Sequence, residues 1–175
     1  MSDTIINSLT RKIGALQASV GLKTISKNFD LQPQRVTLSL ILDAFNKLGI
    51  QGTQLDSNYY STSWENWQII LDSVWNIIKN FNWVADKFDC DNRSSMVADL
   101  CGLLFGVNTC CQVYCNVTDP ITGNEKYLHW TNIIVDLNGN TYLFDVDNGG
   151  LKQKITSPNV VMGNCNYKLI SYRIG

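Results

Sequence analysis

Apolar residues in the first 80 positions recur three or four residues apart, the spacing that places them on one face of a helix. The first run predicts a helix within residues 1–28 that ends near Gly21. Its stripe covers only about two heptads, so two interpretations stay open: packing on its own domain, or an arm that joins copies into a homo-oligomer. The stripe consists of Ile6, Leu9, Ile13, Leu16 and Val20.

The same criterion predicts two longer helices farther along the chain. One spans about 35–48, after Pro33 and before Gly49, which can end it. Residues 51–62 are polar and rich in turn formers, so they are predicted to form a loop. Ser63 can cap the next helix, which has a continuous apolar stripe.

After residue 90 the pattern changes from helix to strand. A short buried helix is predicted to end at Gly106, and strand-like runs separated by turn residues follow it. Helices first and antiparallel strands last predict an α+β fold class. We expect an N-terminal helical arm, 1–28, and an α+β domain, 29–175. The predicted strands span residues 110–117, 127–136, 141–146 and 167–174.

The charge balance excludes one large class of partner. The 175 residues carry a formal net charge of −1, and such a chain lacks the basic face by which proteins bind nucleic acid. A content of 45% hydrophobic and 17% charged residues predicts a folded core. No run approaches the roughly 18 apolar residues of a membrane span, and the first residues do not resemble a secretory signal. We therefore expect a cytoplasmic protein.

Six cysteines and a single histidine, His129, restrict the chemistry. In the cytoplasm the cysteines are expected to be free thiols, and no two of them have the C-x-x-C spacing of a zinc site. A calcium loop built from Asp145, Asp147 and Asn148 lacks the glutamate that such loops carry at their last position. We therefore predict neither a metal nor an organic cofactor.

The residues around Cys90 indicate a candidate nucleophile. Asp89 is a predicted N-cap, which places Cys90 in the first turn of the short helix. The helix dipole and the backbone N–H groups there favour a thiolate and can hold an oxyanion. Asn82 and Trp83 are further candidates for holding the oxyanion. The alternative is that Cys90 is one more buried thiol.

His129 and Asp145 complete a candidate catalytic triad. His129 lies in a predicted strand, and Asp145 follows across a predicted hairpin. A thiol, an imidazole that moves its proton and a carboxylate that orients the imidazole form the arrangement used in acyl transfer. Taken singly, each residue also has a structural interpretation, the histidine as a satisfied buried group and the aspartate as a turn former.

The register of this hairpin tests the third member of the triad. A two-residue turn at Asn138-Gly139 places Asn148 on the face of His129. A three-residue loop with Gly139 in the left-handed region places Asp145 on that face instead. The Cys-His-Asp site requires the three-residue loop or a β-bulge, and a regular two-residue turn would leave a Cys-His-Asn site.

Residues 83–148 resemble the core of transglutaminase-like and papain-like cysteine enzymes, in which a cysteine at a helix N-terminus precedes strands bearing first His and then Asp. Residues 103–107 and the strand after them look like the helix-to-strand exit of that core. Residues 128–132 through 142–145 look like its His–hairpin–Asp segment. The run Phe88-Asp89-Cys90-Asp91-Asn92 is similar to the cysteine motif of small phage and bacterial domains related to the fungal agglutinin C-terminal peptidase domain.

The resemblance implies a papain/transglutaminase-like core, a cysteine-bearing helix packed on an antiparallel sheet. It implies a cysteine hydrolase, a peptidase or amidase, in which Cys90 attacks a peptide or protein substrate, His129 moves the proton and Asp145 holds the imidazole. Together with a bias toward asparagine and lysine, it implies a phage or bacterial protein of the host cytoplasm or virion. The alternative is a non-catalytic structural or interaction protein, such as a virion component, on the same fold.

Overall fold

The computed structural model describes residues 31–54 and 56–174. The predicted helical arm, 1–28, lies outside the described residues. From Gln32 onward the described residues belong to one compact unit. No helix in these ranges has the length and apolar character needed to cross a membrane.

Three helices begin and end where local chemistry favours it. The hydroxyls of Thr37 and Ser63 accept hydrogen bonds from backbone N–H groups three residues on and so cap the first two helices. Gly49 and Gly106 end the first and third helices in the left-handed conformation, with φ of 68° and 69°. The helices are α1 (Leu38–Leu48), α2 (Trp64–Ile78) and α3 (Cys90–Phe105).

Nine strands accompany these helices in the described residues. They are β1 (Gln34–Val36), β2 (Gln51–Gln54), β3 (Tyr59–Ser61), β4 (Cys110–Thr118), β5 (Glu125–Val135), β6 (Thr141–Asp145), β7 (Leu151–Ile155), β8 (Asn159–Met162) and β9 (Cys165–Ile174). Seven of them form one sheet in the order β2-β9-β4-β5-β6-β7, with β8 also paired to β9. The β2–β9 pair is parallel and the other pairs are antiparallel. β1 and β3 form a separate two-stranded sheet.

The strand content corrects the predicted fold class. Five strands lie where the sequence predicts no strand: β1, β2, β3, β7 and β8. Each has three to five residues. In so short a segment the alternation of apolar and polar residues that indicates a strand cannot be distinguished from the pattern of a turn. Each strand forms because a partner strand completes its hydrogen bonds. The prediction of helices followed by a wholly antiparallel sheet is therefore wrong. The domain is mostly β, with three helices around a mixed sheet.

Both faces of the sheet are covered by helices. On one face Phe45 of α1 packs with inward-pointing residues such as Val113 of β4 and Ile133 of β5. On the other face Asn132, the neighbour of Ile133, donates to the carbonyl oxygen of Ser94 in α3 at 2.9 Å. Successive strand residues point to opposite faces, so α1 and α3 lie on opposite sides of β5, and α2 packs beside α3.

The β5–β6 hairpin has the register that the Cys-His-Asp arrangement requires. Val135 pairs with Thr141, and the backbone N–H of Asp136 donates to the carbonyl oxygen of Asn140 at 3.0 Å. The loop is therefore 137–139, and Gly139 in it has a φ of 74°. Pairing with β6 ends at Asn132 and Phe144, although β5 continues to Glu125 beside β4. Of the two registers that the sequence left open, the structure has the one with the three-residue loop. Because β5 and β6 separate beyond this pair, the sheet opens at the end that carries the candidate site.

Candidate functional site

Cys90 occupies the position that the sequence predicts, the first residue of α3 with Asp89 as its N-cap. The thiol is half-buried, lines the same cavity as His129 and lies close enough to the imidazole to affect its pKa. The backbone N–H of Cys90 belongs to the first turn, whose donors have no acceptor within the helix. The helix start therefore presents a thiol, a proton acceptor for it and a backbone donor at one place.

His129 and Asp145 form the second contact of the site. Nε2 of His129 lies 3.2 Å from both carboxylate oxygens of Asp145. Their side chains are only 6% and 2% exposed. Because Nε2 faces the carboxylate, the other ring nitrogen is left for Cys90. The structure thus brings the three predicted residues into one series of contacts.

The two buried groups stabilise each other in their charged forms. Burial alone would lower the pKa of His129, but the hydrogen bond with Asp145, the charge of that carboxylate and the nearby Cys90 side chain raise it to about 10. Burial alone would raise the pKa of Asp145, but His129 and the Tyr167 hydroxyl hold it below its ordinary value. At neutral pH the site therefore favours an imidazolium beside a carboxylate.

Tyr167, which sequence reasoning did not find, hydrogen-bonds Asp145, and Asn148 hydrogen-bonds Tyr167 in turn. The Tyr167 hydroxyl donates to Oδ2 of Asp145 at 2.6 Å, and Nδ2 of Asn148 donates to that hydroxyl at 3.0 Å. Burial and the nearby Asp145 charge raise the pKa of Tyr167, so its hydroxyl keeps its proton. Asn148, the alternative third member, thus contacts Tyr167. The only sequence signal for Tyr167 is its place in a predicted strand.

An ion pair between a buried arginine and a partly exposed aspartate joins the cysteine helix to the chain segment after Asp145. Nε of Arg93, one turn after Cys90, lies 2.6 Å from Oδ1 of Asp147. Arg93 also donates from Nη1 to the carbonyl oxygen of Phe81 at 3.0 Å. Burial raises the pKa of Asp147 although the Arg93 charge opposes that shift. This pair connects the element that carries the thiol with the one that carries the carboxylate.

An open cavity of about 510 Å³ lies beside the thiol and the imidazole. Its volume is within the usual range of small-molecule sites. Cys90 and His129 form part of the wall, and the Arg93–Asp147 pair forms another part. The remaining lining is apolar: Trp75, Trp83, Tyr127, Leu128 and Val146.

Of the two side chains predicted to hold an oxyanion, only one lines the cavity. Trp83 lines the cavity, whereas Asn82 is exposed and is not among the lining residues. Gln112, which lies under the start of α3, donates to the Asp91 carbonyl and the Ser94 hydroxyl. The backbone N–H of Cys90 is therefore the donor that the geometry places best for a developing negative charge.

Metal-ligand atoms also cluster here, but their lone pairs are engaged. One ligand atom each of His129, Asp145 and Asp147 lies within 4.8 Å of the others. His129 and Asp145 bond each other, and Asp147 pairs with Arg93. Asn148 is held by Tyr167. A cation at this place would have to break these contacts, so the donor set fits the hydrogen-bonded site better than a metal site.

The other five cysteines divide into two groups. Cys101, Cys110, Cys111 and Cys115 are buried, and none of the six cysteines is in a disulfide. Burial is the main cause that raises the pKa of Cys101, Cys111 and Cys115. Cys165 is half-buried, as Cys90 is. It therefore provides a matched reference thiol within the same chain.

Comparisons with known proteins identify a fold but no family. No family model and no curated protein matches the sequence. Among solved structures, the PSL1a–E64 complex matches with a TM-score of 0.55 and 14% identity over 79% of this chain and 51% of that chain. Polyporus squamosus lectin bound to the human-type influenza-binding epitope Neu5Aca2-6Galb1-4GlcNAc matches with a TM-score of 0.49 and 14% identity. This second match covers 77% of the present chain and 46% of the lectin chain.

The chain spans about half the length of these two solved structures. The match to PSL1a, with the TM-score of 0.55, corrects the resemblance drawn from the sequence, because that protein is not described as a transglutaminase-like or papain-like enzyme. The assignment to that enzyme superfamily, its papain/transglutaminase-like fold class and the terms hydrolase and cysteine protease that followed from it are therefore withdrawn. Order and spacing of Cys, His and Asp were too general to identify a family. A fold similar to that of PSL1a is what the comparison shows.

Proposed function

We propose that the chain is an enzyme that transfers an acyl group through Cys90. The observation that carries this proposal is that Cys90 and His129 lie on the wall of one open cavity, and that Nε2 of His129 lies 3.2 Å from both carboxylate oxygens of Asp145. The proposal is based on this geometry and its charges, independently of the withdrawn resemblance. It needs no metal, because proton transfer and charge stabilisation come from the chain's own groups.

The geometry supports the following sequence of steps. The Cys90 thiolate attacks the carbonyl carbon of an amide or ester, a C–S bond forms, and the carbonyl electron pair moves to oxygen near the Cys90 backbone N–H. As the oxyanion collapses, the bond to the leaving nitrogen or oxygen breaks and the His129 imidazolium donates its proton to that atom. An acyl acceptor with a nucleophilic N–H or O–H group then attacks the carbonyl carbon of the thioester and gives its proton to His129. The C–S bond breaks and the thiolate is restored.

Asp145 has a distinct role in this scheme. It keeps the ring of His129 in one orientation and stabilises the imidazolium that accompanies the thiolate. Its own position is fixed by the Tyr167 hydroxyl and by the backbone N–H of Asp147, which donates to Oδ1 at 2.9 Å. The proton of the site therefore belongs on His129 and not on the carboxylate.

Thiol alkylation tests the proposal without knowledge of the substrate. Full-length protein is treated with iodoacetamide at pH 7, and the rates at Cys90 and at the half-buried Cys165 are followed by peptide mass spectrometry. We expect Cys90 to react at least tenfold faster than Cys165, and the difference to disappear in His129→Ala. E64, the compound bound in the PSL1a complex, gives a second readout, and its binding is expected to require Cys90.

Equal and slow alkylation of Cys90 and Cys165 in the wild-type protein would contradict the proposed enzyme. A fast reaction at Cys90 that persists unchanged in His129→Ala would contradict the assigned role of the imidazole. Circular dichroism of each variant shows whether the fold is retained. The conservative variant His129→Gln repeats the test if the alanine variant does not fold.

A second candidate function is binding without chemistry, as a structural or interaction protein. The observation that favours it is the aromatic lining of the cavity by Trp75, Trp83 and Tyr127, because flat rings offer contact surface to a ligand without any need for a thiol. The epitope bound by Polyporus squamosus lectin serves as a probe of a carbohydrate role. Binding of that glycan to wild-type and Cys90→Ala protein with equal affinity would support this candidate.

A further inference from the structure

The cavity beside Cys90 has large apolar side chains that are open to solvent. Trp83 is 56% exposed, Tyr127 is 48% exposed and Leu128 is 52% exposed, and all three line the cavity. Clustered exposure of this kind marks a contact surface, since a folded chain gains nothing from leaving such groups in water. Trp67, in contrast, is fully buried in the same domain. The rim of the cavity is therefore available to an apolar ligand group.

The charges around the cavity disfavour an acidic ligand group. The lining residues include two cations, Arg93 and the His129 imidazolium, and both are already paired. Arg93 is held by Asp147 and by the Phe81 carbonyl oxygen, and His129 is held by Asp145. The residues on either side of Cys90 are aspartates, Asp89 and Asp91. An incoming carboxylate would meet these charges without a cation left to pair with it.

We propose that the acyl substrate carries a large apolar side chain next to its reacting carbonyl, and that Trp83 and Leu128 select it. This inference rests on the proposed acyl transfer for its chemistry and adds the substrate class. Cys90 and His129 lie on the same cavity wall as the apolar rim, so one ligand can reach the thiol and the rim together. Burying such a side chain on the rim contributes binding energy that an acidic analogue cannot obtain.

Two chloromethyl ketones that differ only in the side chain test this selection. The N-acetyl phenylalanine and N-acetyl aspartate compounds are compared with iodoacetamide, which has no side chain, and the rates at Cys90 are measured by mass spectrometry. We expect the phenylalanine compound to react at least thirtyfold faster than the aspartate compound. A discrimination of this size is typical of apolar pockets.

Variants at the rim connect the selection to named residues. In Trp83→Ala and Leu128→Ala the phenylalanine rate, divided by the iodoacetamide rate of the same variant, is expected to fall about tenfold. Ile121→Ala is the matched control, because Ile121 is an apolar side chain that is 93% exposed and does not line the cavity. This variant should leave the ratio unchanged. All three substitutions are at exposed positions, so the fold should tolerate them.

The possible outcomes distinguish a failure of the proposed acyl transfer from a failure of the proposed substrate class. Equal rates for the two chloromethyl ketones, with fast alkylation of Cys90 by iodoacetamide, would overturn the substrate class and leave acyl transfer standing. Slow iodoacetamide reaction at Cys90 would overturn acyl transfer itself. If the sialylated glycan slows both chloromethyl ketones to the same extent and the two rates are equal, the rim is a carbohydrate surface and the inference is wrong.

Discussion

A buried aspartate lies at each end of strand β6, and the two carboxylates differ in the groups that they hydrogen-bond. Asp136, in the turn before β6, is 1% exposed, and Asp145, the last residue of β6, is 2% exposed. Asp136 accepts hydrogen bonds from the backbone N–H groups of Asn138 and Asn140, and from the Tyr142 hydroxyl. All of these donors lie within six residues of it. Asp136 therefore shapes its own turn.

Asp145 receives its side-chain contacts from distant parts of the chain. His129 is 16 residues away and Tyr167 is 22 residues away. Two equally buried carboxylates thus differ in what they fix, a local loop in one case and the orientation of an imidazole in the other. Burial alone does not identify a functional carboxylate, whereas the identity of its partners does.

The largest expected effect is on the reactivity of Cys90 in Asp145→Asn. The amide keeps the shape of the side chain but removes the negative charge that stabilises the imidazolium, so alkylation of Cys90 at pH 7 should fall by on the order of a thousandfold. Asp136→Asn is the matched control and should change the rate less than twofold. A similar loss in both variants would show that the distinction between the two aspartates is wrong.

The pH dependence of stability should distinguish the same two ends of β6. His129 has a pKa of about 10 in the folded protein and about 6.5 in the unfolded chain. Between these two pKa values His129 is protonated in the folded protein and neutral in the unfolded chain. The contribution of this proton to the free energy of unfolding is therefore complete below pH 6.5 and is lost as the pH rises toward 10. The maximum slope is about 1.4 kcal/mol per pH unit. Urea unfolding at pH 7, 8 and 9 measures it.

His129→Gln removes the titrating group and should remove this part of the slope, and Asp145→Asn should reduce it. Asp136→Asn should keep it, because Asp136 contacts only its own turn and Tyr142 among the described residues. A wild-type slope that persists in His129→Gln would assign the pH dependence to other groups and contradict the raised pKa of His129.

Loss of Asp136 should affect stability more than reactivity. Asp136→Ala leaves two backbone N–H groups and the Tyr142 hydroxyl without their acceptor, and we expect a loss of about 2 kcal/mol in the free energy of unfolding. Chemical denaturation at pH 7 measures this loss. Cys90 alkylation in the folded variant should stay within twofold of wild type. A strong fall in reactivity would show that the turn and the site are coupled.

The smallest effect is expected from Tyr167→Phe. The variant removes one hydroxyl that donates to Asp145 but keeps the charge of the carboxylate, so alkylation of Cys90 should fall about fivefold, or about 1 kcal/mol. His129 is the single histidine of the chain, so its ring resonances report its pKa directly by NMR. A change of rate without any change in the His129 titration would contradict an effect through Asp145.

Local signals made parts of this molecule predictable. Capping residues and glycine stops located the helices, and the hairpin parity reduced the third member of the site to Asp145 or Asn148, between which the observed register decides. These features depend on residues close in sequence, where backbone preferences act directly. The position of Cys90 at the start of α3 followed from the same local rules.

The short strands and the contacts that support the site could not be predicted from the sequence, because their partners are distant along the chain. The short strand β2 forms only because β9 lies beside it, more than a hundred residues later. Arg93 pairs with Asp147, and Tyr167 reaches Asp145, through contacts that no local pattern encodes. The same limit applies to the family resemblance, since the order of three residue types leaves the rest of the fold unspecified.

The sequence by itself determined which residues could do chemistry: one histidine, a cysteine at a helix start, and either Asp145 or Asn148 across a hairpin. Tertiary structure decided whether these residues meet and in which charge state. Their charges persist because buried partners from α3, β6 and β9 converge where β5 and β6 separate. A low-dielectric site makes these interactions strong, and only the folded chain creates that environment.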